Sequence, residues 1–308
     1  MKKWAIMVLL LLAALVLTAC GNGNKESESS VSVEAPKTEA KKDPFENYTI
    51  TYTNGGLINL NDYRGEEKNI IIPAERDGIA VVRIDDRTFY ECRFIETVTI
   101  PEGIKHIGSK AFRDCENLDS VTLPNTLTTI KDDAFCNCKS LKSIVLPDSL
   151  KEIQFGAFQH CEALESIVIP KGLDEISSTM FYNCRSLKSV SISDTVTRIG
   201  SDAFKNCSSL ESITIPGNVK KIQGSAFADC STMKSVIMLD GVRFVEDYAF
   251  GGCTALESVI IPDSVSSIGT NVFANCSDQL TITVGHDSYA EKYCIENGLN
   301  YTYSDAQS

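Results

Sequence analysis

The chain has 308 residues, 43 % of them hydrophobic, which is enough apolar mass to bury a substantial core. Its 41 acidic and 29 basic side chains give a net charge of −12, or −14 without residues 1–19, which carry Lys2 and Lys3 and no acid. A surface of that sign repels phosphate backbones and anionic lipid, which argues against nucleic-acid binding.

Residues 1–19 predict an export signal. Met1-Lys2-Lys3 is a basic start, and Ala5 to Val16 is an apolar run too short for a comfortable membrane span. Leu17-Thr18-Ala19-Cys20 stands where that run ends and resembles the bacterial lipobox. The resemblance implies that Cys20 receives a diacylglycerol and becomes the mature first residue. The expected location is therefore an exported lipoprotein, held at the membrane through Cys20 alone and displayed on the cell surface. Residues 20–45 are rich in Ser, Glu, Lys and Gly and poor in aromatics, so they predict a lipidated, disordered tether that cannot offset its ordering entropy by burial.

Residues 46–77 read as an N-terminal cap. Tyr48 to Thr53 and Leu57 to Leu60 form a hairpin across Asn54-Gly55-Gly56, and Ile70-Ile71-Ile72-Pro73 begins an irregular first coil. Residues 78–284 are the body of the molecule. A cysteine recurs every 23 residues from Cys92 to Cys276, nine times without a gap, and a phenylalanine stands three residues before each one, from Phe89 to Phe273. Three residues after it a large apolar side chain recurs, as in Leu118, Leu141, Leu164 and Leu187. These steps of three suit one tight helical turn whose three side chains face inward. An alternating stretch such as Ser120-Val121-Thr122-Leu123 follows with the period of a strand, and Pro124 ends it. A second apolar pair, Leu127 with Ile130, marks the return path. A fixed period in the twenties is the signature of a stacked solenoid, in which each coil buries its apolar side only against its neighbours. Residues 285–308 form the C-terminal cap and tail: a short helix from Ser288, stopped at Gly298, and a final strand from Leu299 to Tyr303.

The unit Ala111-Phe112-x-x-Cys115-x-x-Leu118-x-x-Val121-x-Leu123-Pro124-x-x-Leu127-x-x-Ile130 resembles a leucine-rich repeat and is similar to the BspA-like bacterial subfamily over about residues 46–303. The fold expected is a β-rich solenoid of 23-residue leucine-rich repeats, with parallel stacked strands and short helical turns, capped at both ends. The chain departs from the common leucine-rich pattern in one place. Where that pattern has Asn or Cys to tie down the loop after the strand, this chain has Gly103, Thr126, Ser149 and Thr195 among others.

The cysteine column lies among core residues, where a free thiol behaves as a small hydrophobe, so reduced structural cysteines are expected rather than disulfides. Cys136 and Cys138 lack a second ligand pair, which makes a metal site improbable. His106, His160 and His286 occupy different repeat positions without a carboxylate or cysteine at ligand spacing. No metalloprotease, nucleophile-elbow or phosphate-loop motif is present, so no catalytic residue, metal or cofactor is predicted and the chain does not read as an enzyme. Four residues after each cysteine the charge alternates, as in Asp119, Lys142, Glu165 and Lys188, which predicts support between adjacent coils.

The outward strand positions are the candidate binding surface. Small hydroxyl residues dominate one column, while Val145, Val168, Ile237 and Ile260 stand apolar in the next. Phe155 and Phe244 occupy positions that are otherwise polar or small and add candidate aromatic anchors. Resemblance to BspA-like proteins implies adhesion or recognition at the cell surface, with an extracellular or host protein as partner. A glycan-binding module is the first alternative and would need exposed aromatics in a row. An envelope spacer or assembly subunit is the second and would self-associate.

Overall fold

The computed structural model describes residues 43–304. The export signal, Cys20 and all but the last three residues of the tether lie outside the described residues. Asp43–Ser308 forms one compact unit. It contains every described core residue and both caps.

Each coil has three sides. The first, here the front face, is a strand such as Ser120–Thr122, in which Val121 points inward while Ser120 and Thr122 face solvent. The strand pairs in parallel with its counterpart one coil away, Val98 opposite Val121 and Thr99 opposite Thr122, a shift of 23 residues. The second side is the return strand, two residues long in most coils, as in Thr129–Ile130 beside Glu152–Ile153. The third is the turn side, which carries the phenylalanine and cysteine.

The turn side refines the expected helical turn. The Cys115 N–H donates to the Phe112 carbonyl at 3.2 Å and Leu118 N–H to Cys115 at 3.1 Å, so the steps of three are real. The segment is nevertheless a succession of turns, because the residue before each cysteine adopts a left-handed backbone: φ is +63° at Asp114, +61° at Asn137 and +61° at Asn183. A left-handed residue ends helical propagation. It also turns peptide groups along the solenoid axis. Phe89 N–H donates to the Ala111 carbonyl at 2.7 Å, Phe112 N–H to Ala134 at 2.7 Å and Phe135 N–H to Ala157 at 2.8 Å, and this ladder continues coil after coil. The strand ladders do not. Both the front and the return sheet break between the coil of Cys138 and the coil of Cys161, and the front sheet breaks again between Ser189–Ser191 and Ser212–Ile215.

Inside, the nine phenylalanine rings stack at centroid spacings of 4.8–5.9 Å, tilted by no more than 12° from one ring to the next. Burying each ring contributes roughly 1.5–3 kcal/mol of transfer free energy. The position where the common repeat has Asn keeps that duty with a shorter side chain: Thr126 Oγ1 donates to the Ile104 carbonyl at 3.0 Å and Ser264 Oγ to Val242 at 2.9 Å. Gly172, at the same position, has no room for any side chain, since a Cβ there would lie 1.8 Å from the Leu150 carbonyl oxygen.

At the N-terminal end the antiparallel strands Tyr48–Tyr52 and Ile58–Tyr63 cover the first return strand, with Tyr48 and Tyr63 packed on Phe89. At the other end the helix Tyr289–Asn297 is capped by Ser288, whose hydroxyl accepts from Glu291 N–H, and stops at Gly298 with φ +63°. Its Tyr293 packs edge-on against Phe273, and the strand Tyr301–Tyr303 pairs in parallel with Thr281–Val284.

Candidate functional site

The front face is a shallow sheet surface edged by charge. On it, Ile237 and Ile260 (38 % and 41 % exposed) lie directly opposite each other in adjacent paired strands. Val145 and Val168 are more open, at 83 % and 64 %, and occupy the same column in successive coils. The sheet is unpaired between those two coils, because Ser143–Ile144 bonds only to the strand before it and Ser166–Val168 only to the strand after it. The front face therefore carries two apolar patches, one in each half of the solenoid.

Two further exposed aliphatic side chains lie on the front face. Leu239 takes the place where most repeats have proline, directly after Met238, and is exposed beside Ile237. Ile71 lies opposite Thr99 in the first strand of the sheet and belongs to the same outward column as Val145. Its signal in the sequence is the run Asn69-Ile70-Ile71-Ile72-Pro73, which copies the strand-proline module ahead of the first cysteine.

The two aromatic candidates lie elsewhere. Phe244 belongs to the return strand Phe244–Val245 and walls a shallow groove of about 600 Å³, with Gly224 and Gly269 leaving the space and Lys221, Glu246 and Asp247 around it. Both acids are engaged: Glu246 Oε1 pairs with Lys221 Nζ at 2.5 Å, Glu246 Oε2 accepts from Gly224 N–H at 3.1 Å, and Asp247 Oδ1 accepts from Thr270 N–H at 2.7 Å. Phe155 projects at the corner between the return strand and the turn side, four coils away. The structure thus groups the aliphatic candidates on one face and leaves the aromatics separate.

Eight of the nine repeat thiols donate to the phenylalanine carbonyl of the preceding coil at 3.1–3.3 Å. All described cysteines are free and all but Cys276 are buried. Burial pushes the Cys230 thiol up to about 12 and the Cys136 thiol up to about 11, and raises Cys138 and Cys161 well above the ordinary value. Such thiols are poor nucleophiles and poor metal ligands, because both roles require the thiolate. Among the described residues no group of three or more His, Cys, Asp and Glu side chains could hold a metal ion. His160 is held 3.2 Å from the Asn183 amide through Nδ1, and partial burial lowers its pKa. Among the described residues no helix is long and apolar enough to cross a membrane.

A family model described as a BspA type leucine rich repeat region matches residues 82–211 and 197–304 in six copies. Among solved structures, a leucine rich cell surface protein from Faecalibacterium prausnitzii is similar at 25 % identity and a TM-score of 0.51, over 85 % of this chain and 94 % of that one. A leucine rich repeat protein from T. pallidum matches at 25 % identity and a TM-score of 0.49, over 87 % of this chain and all of that one. No curated protein matches.

Proposed function

The chain belongs to the BspA-type leucine-rich repeat family, and from that premise we propose that it is a cell-surface module that binds a protein ligand through its front face. Leucine-rich repeat solenoids are in general binding scaffolds rather than enzymes, since their stacked coils build a long surface and no enclosed pocket. One observation carries the reading: Ile237, Leu239 and Ile260 form a contiguous exposed apolar patch on adjacent coils, bordered by hydroxyl side chains. An apolar centre with a polar surround is the ordinary composition of a protein-recognition patch. The aromatics favour a sugar ligand less, because Phe155 and Phe244 stand in separate places and offer no row of rings.

The test is capture of extracellular proteins from the organism's habitat by the fragment 43–308, with Ile237→Lys/Ile260→Lys as the matched variant. A partner held by the native fragment and lost by at least roughly tenfold in affinity with the variant supports the front-face reading. A partner that binds both equally removes this patch from the function.

A further inference from the structure

Charge on the edge of the front face is organised in bands. Four residues after the cysteine, Asp119, Lys142, Glu165 and Lys188 alternate in sign through coils two to five, counting the coil of Cys92 as the first. One residue after the cysteine, a second column alternates in the same phase: Glu116, Lys139, Glu162 and Arg185. Each of these coils therefore presents two like charges, and Lys139 and Lys142 open onto one shallow groove. Within the chain, Lys142 pairs with Asp119, Lys188 with Glu165 at 3.1 Å and Lys139 with Glu116 at 3.3 Å. Support between coils explains alternation along each column but not the shared phase. Opposite phases would add attraction inside every coil, whereas the observed phase adds repulsion there. Glu162 and Arg185 make no ion pair with any described residue.

Val145 and Val168 lie on the same face, in coils three and four, and are two of the three most exposed large aliphatic side chains of the described chain. A two-fold axis along the strand direction, midway between these coils, runs two molecules antiparallel and sets every column against itself. Coil three then faces coil four of the second copy, and coil two faces coil five. Val145 meets Val168, Lys142 meets Glu165, Lys139 meets Glu162, Asp119 meets Lys188 and Glu116 meets Arg185, each contact occurring twice by symmetry. Moving the axis one coil further keeps opposite charges facing in the column four after the cysteine, Glu165 to Lys188 and Lys142 to Glu211. It loses the valine pair and the second column: Val168 would face Ser191, Lys139 would face Ser208 and Glu116 would face Ser231.

We propose that coils two to five of the front face pair with a second copy of this chain, antiparallel, about a two-fold axis between Val145 and Val168. Bands rather than a checkerboard suit this use, because opposed bands stay complementary when the copies slide along the strand direction. Four coils at about 4.8 Å, by about 25 Å of chain width, bury roughly 1,000 Å² in total, the lower end for a specific interface. The association is therefore weak and salt-sensitive. By the same axis Ile237, in coil seven, comes opposite Ile71 at the rim of the contact, whereas Ile260, in coil eight, faces no front strand of the second copy.

Sedimentation equilibrium of the fragment 43–308 tests this. The expected result is a reversible monomer–dimer equilibrium at low salt that weakens as salt rises. Lys139→Glu/Lys142→Glu sets like charge against like at the centre and weakens the dimer by roughly tenfold or more. Adding Glu162→Lys/Glu165→Lys restores it, although two of the three junctions between coils two and five within each chain are then like-charged, so the rescue cannot come from in-chain support. Val145→Lys, at a solvent-exposed position, loses the dimer with an unchanged melting temperature, while Ile260→Lys retains it. A native fragment that stays monomeric at low salt and high concentration overturns the proposal. So does a folded quadruple variant no more dimeric than the double one, or a Val145→Lys variant that dimerises as the native fragment does.

Discussion

The cysteine at the centre of the repeat does two things at once. It fills a core site, and its thiol donates to a carbonyl of the preceding coil, as Cys230 Sγ does to Phe204 at 3.2 Å. Both need the protonated form. Burial moves the Cys230 thiol from 9.0 up to about 12, so the unfolded chain releases this proton first. The stability it contributes is complete below pH 9 and is lost progressively between pH 9 and 12, at about 1.4 kcal/mol per pH unit. Urea unfolding at pH 8 and pH 10 should therefore show the native chain losing about 1.4 kcal/mol more across that interval than Cys230→Ala. Equal losses would mean that the thiol is not protected by burial. The same scale holds a signal that a motif reading passes over. The residues before the cysteines are Glu91, Asp114, Asn137, His160, Asn183, Asn206, Asp229, Gly252 and Asn275, and all have positive φ. Asn, Asp and Gly tolerate that backbone best, so the column's composition encodes the turn.

The element that distinguishes this solenoid is the turn side, where two left-handed residues per coil replace a helix. The second lies five residues before each cysteine, and at Thr179 it is β-branched with φ +54°. The left-handed region costs an L-residue about 1–2 kcal/mol, and glycine's added backbone entropy offsets about 0.5–1 of that. Thr179→Gly should therefore raise unfolding stability by roughly 0.5–1 kcal/mol, even though it removes the hydroxyl bond to Ser178. Thr179→Ala should give no comparable gain. Denaturant midpoints of the two variants distinguish these outcomes, and a stabilised alanine variant with an unchanged glycine variant would contradict the strain account. The front strands have the opposite character. Their ladders break between coils three and four, while the turn-side hydrogen bonds from Asp133, Phe135 and Asn137 continue across that junction. Continuity of the stack there rests on the turn side, the phenylalanine column and the backbone bond that survives at the start of the front strands, from Glu165 N–H to the Lys142 carbonyl at 3.1 Å.

Across the whole molecule, the strand face is the long surface a partner can use, and two caps close its core. The hairpin puts Tyr48 and Tyr63 on Phe89, and the terminal helix puts Tyr293 on Phe273, so each end of the ring stack finishes against tyrosine. Anchoring matters at this scale as well. We propose that Cys20 carries the lipid, since Leu17-Thr18-Ala19-Cys20 directly follows the apolar run. Confinement to a membrane raises the effective concentration of copies, which makes a weak front-face dimer populated without further contacts. Metabolic labelling with a clickable fatty acid should mark the native chain in whole cells and leave Cys20→Ser unlabelled. A native chain without label would remove the anchor.

Much of this architecture is determined by the sequence alone. Phe, Cys and Leu at fixed steps, with strand alternation ended by proline, admit one way of burying every apolar column at once, which is to stack coils at a shift of 23 residues. The helix from Ser288 to Gly298 is equally legible, because the cap residues satisfy the terminal peptide groups locally. The tertiary structure decided what depends on neighbours rather than on spacing. It set the thiols against carbonyls one coil away, made the turn side a continuous axial ladder, and separated Phe155 and Phe244 from the aliphatic patch. It also exposed Leu239 beside Ile237, at a position that holds proline in most repeats, and set Ile71 in the Val145 column ahead of the first cysteine. A column in the sequence specifies which way a side chain points, but which columns share a surface depends on how sharply the backbone turns between the three sides of the coil.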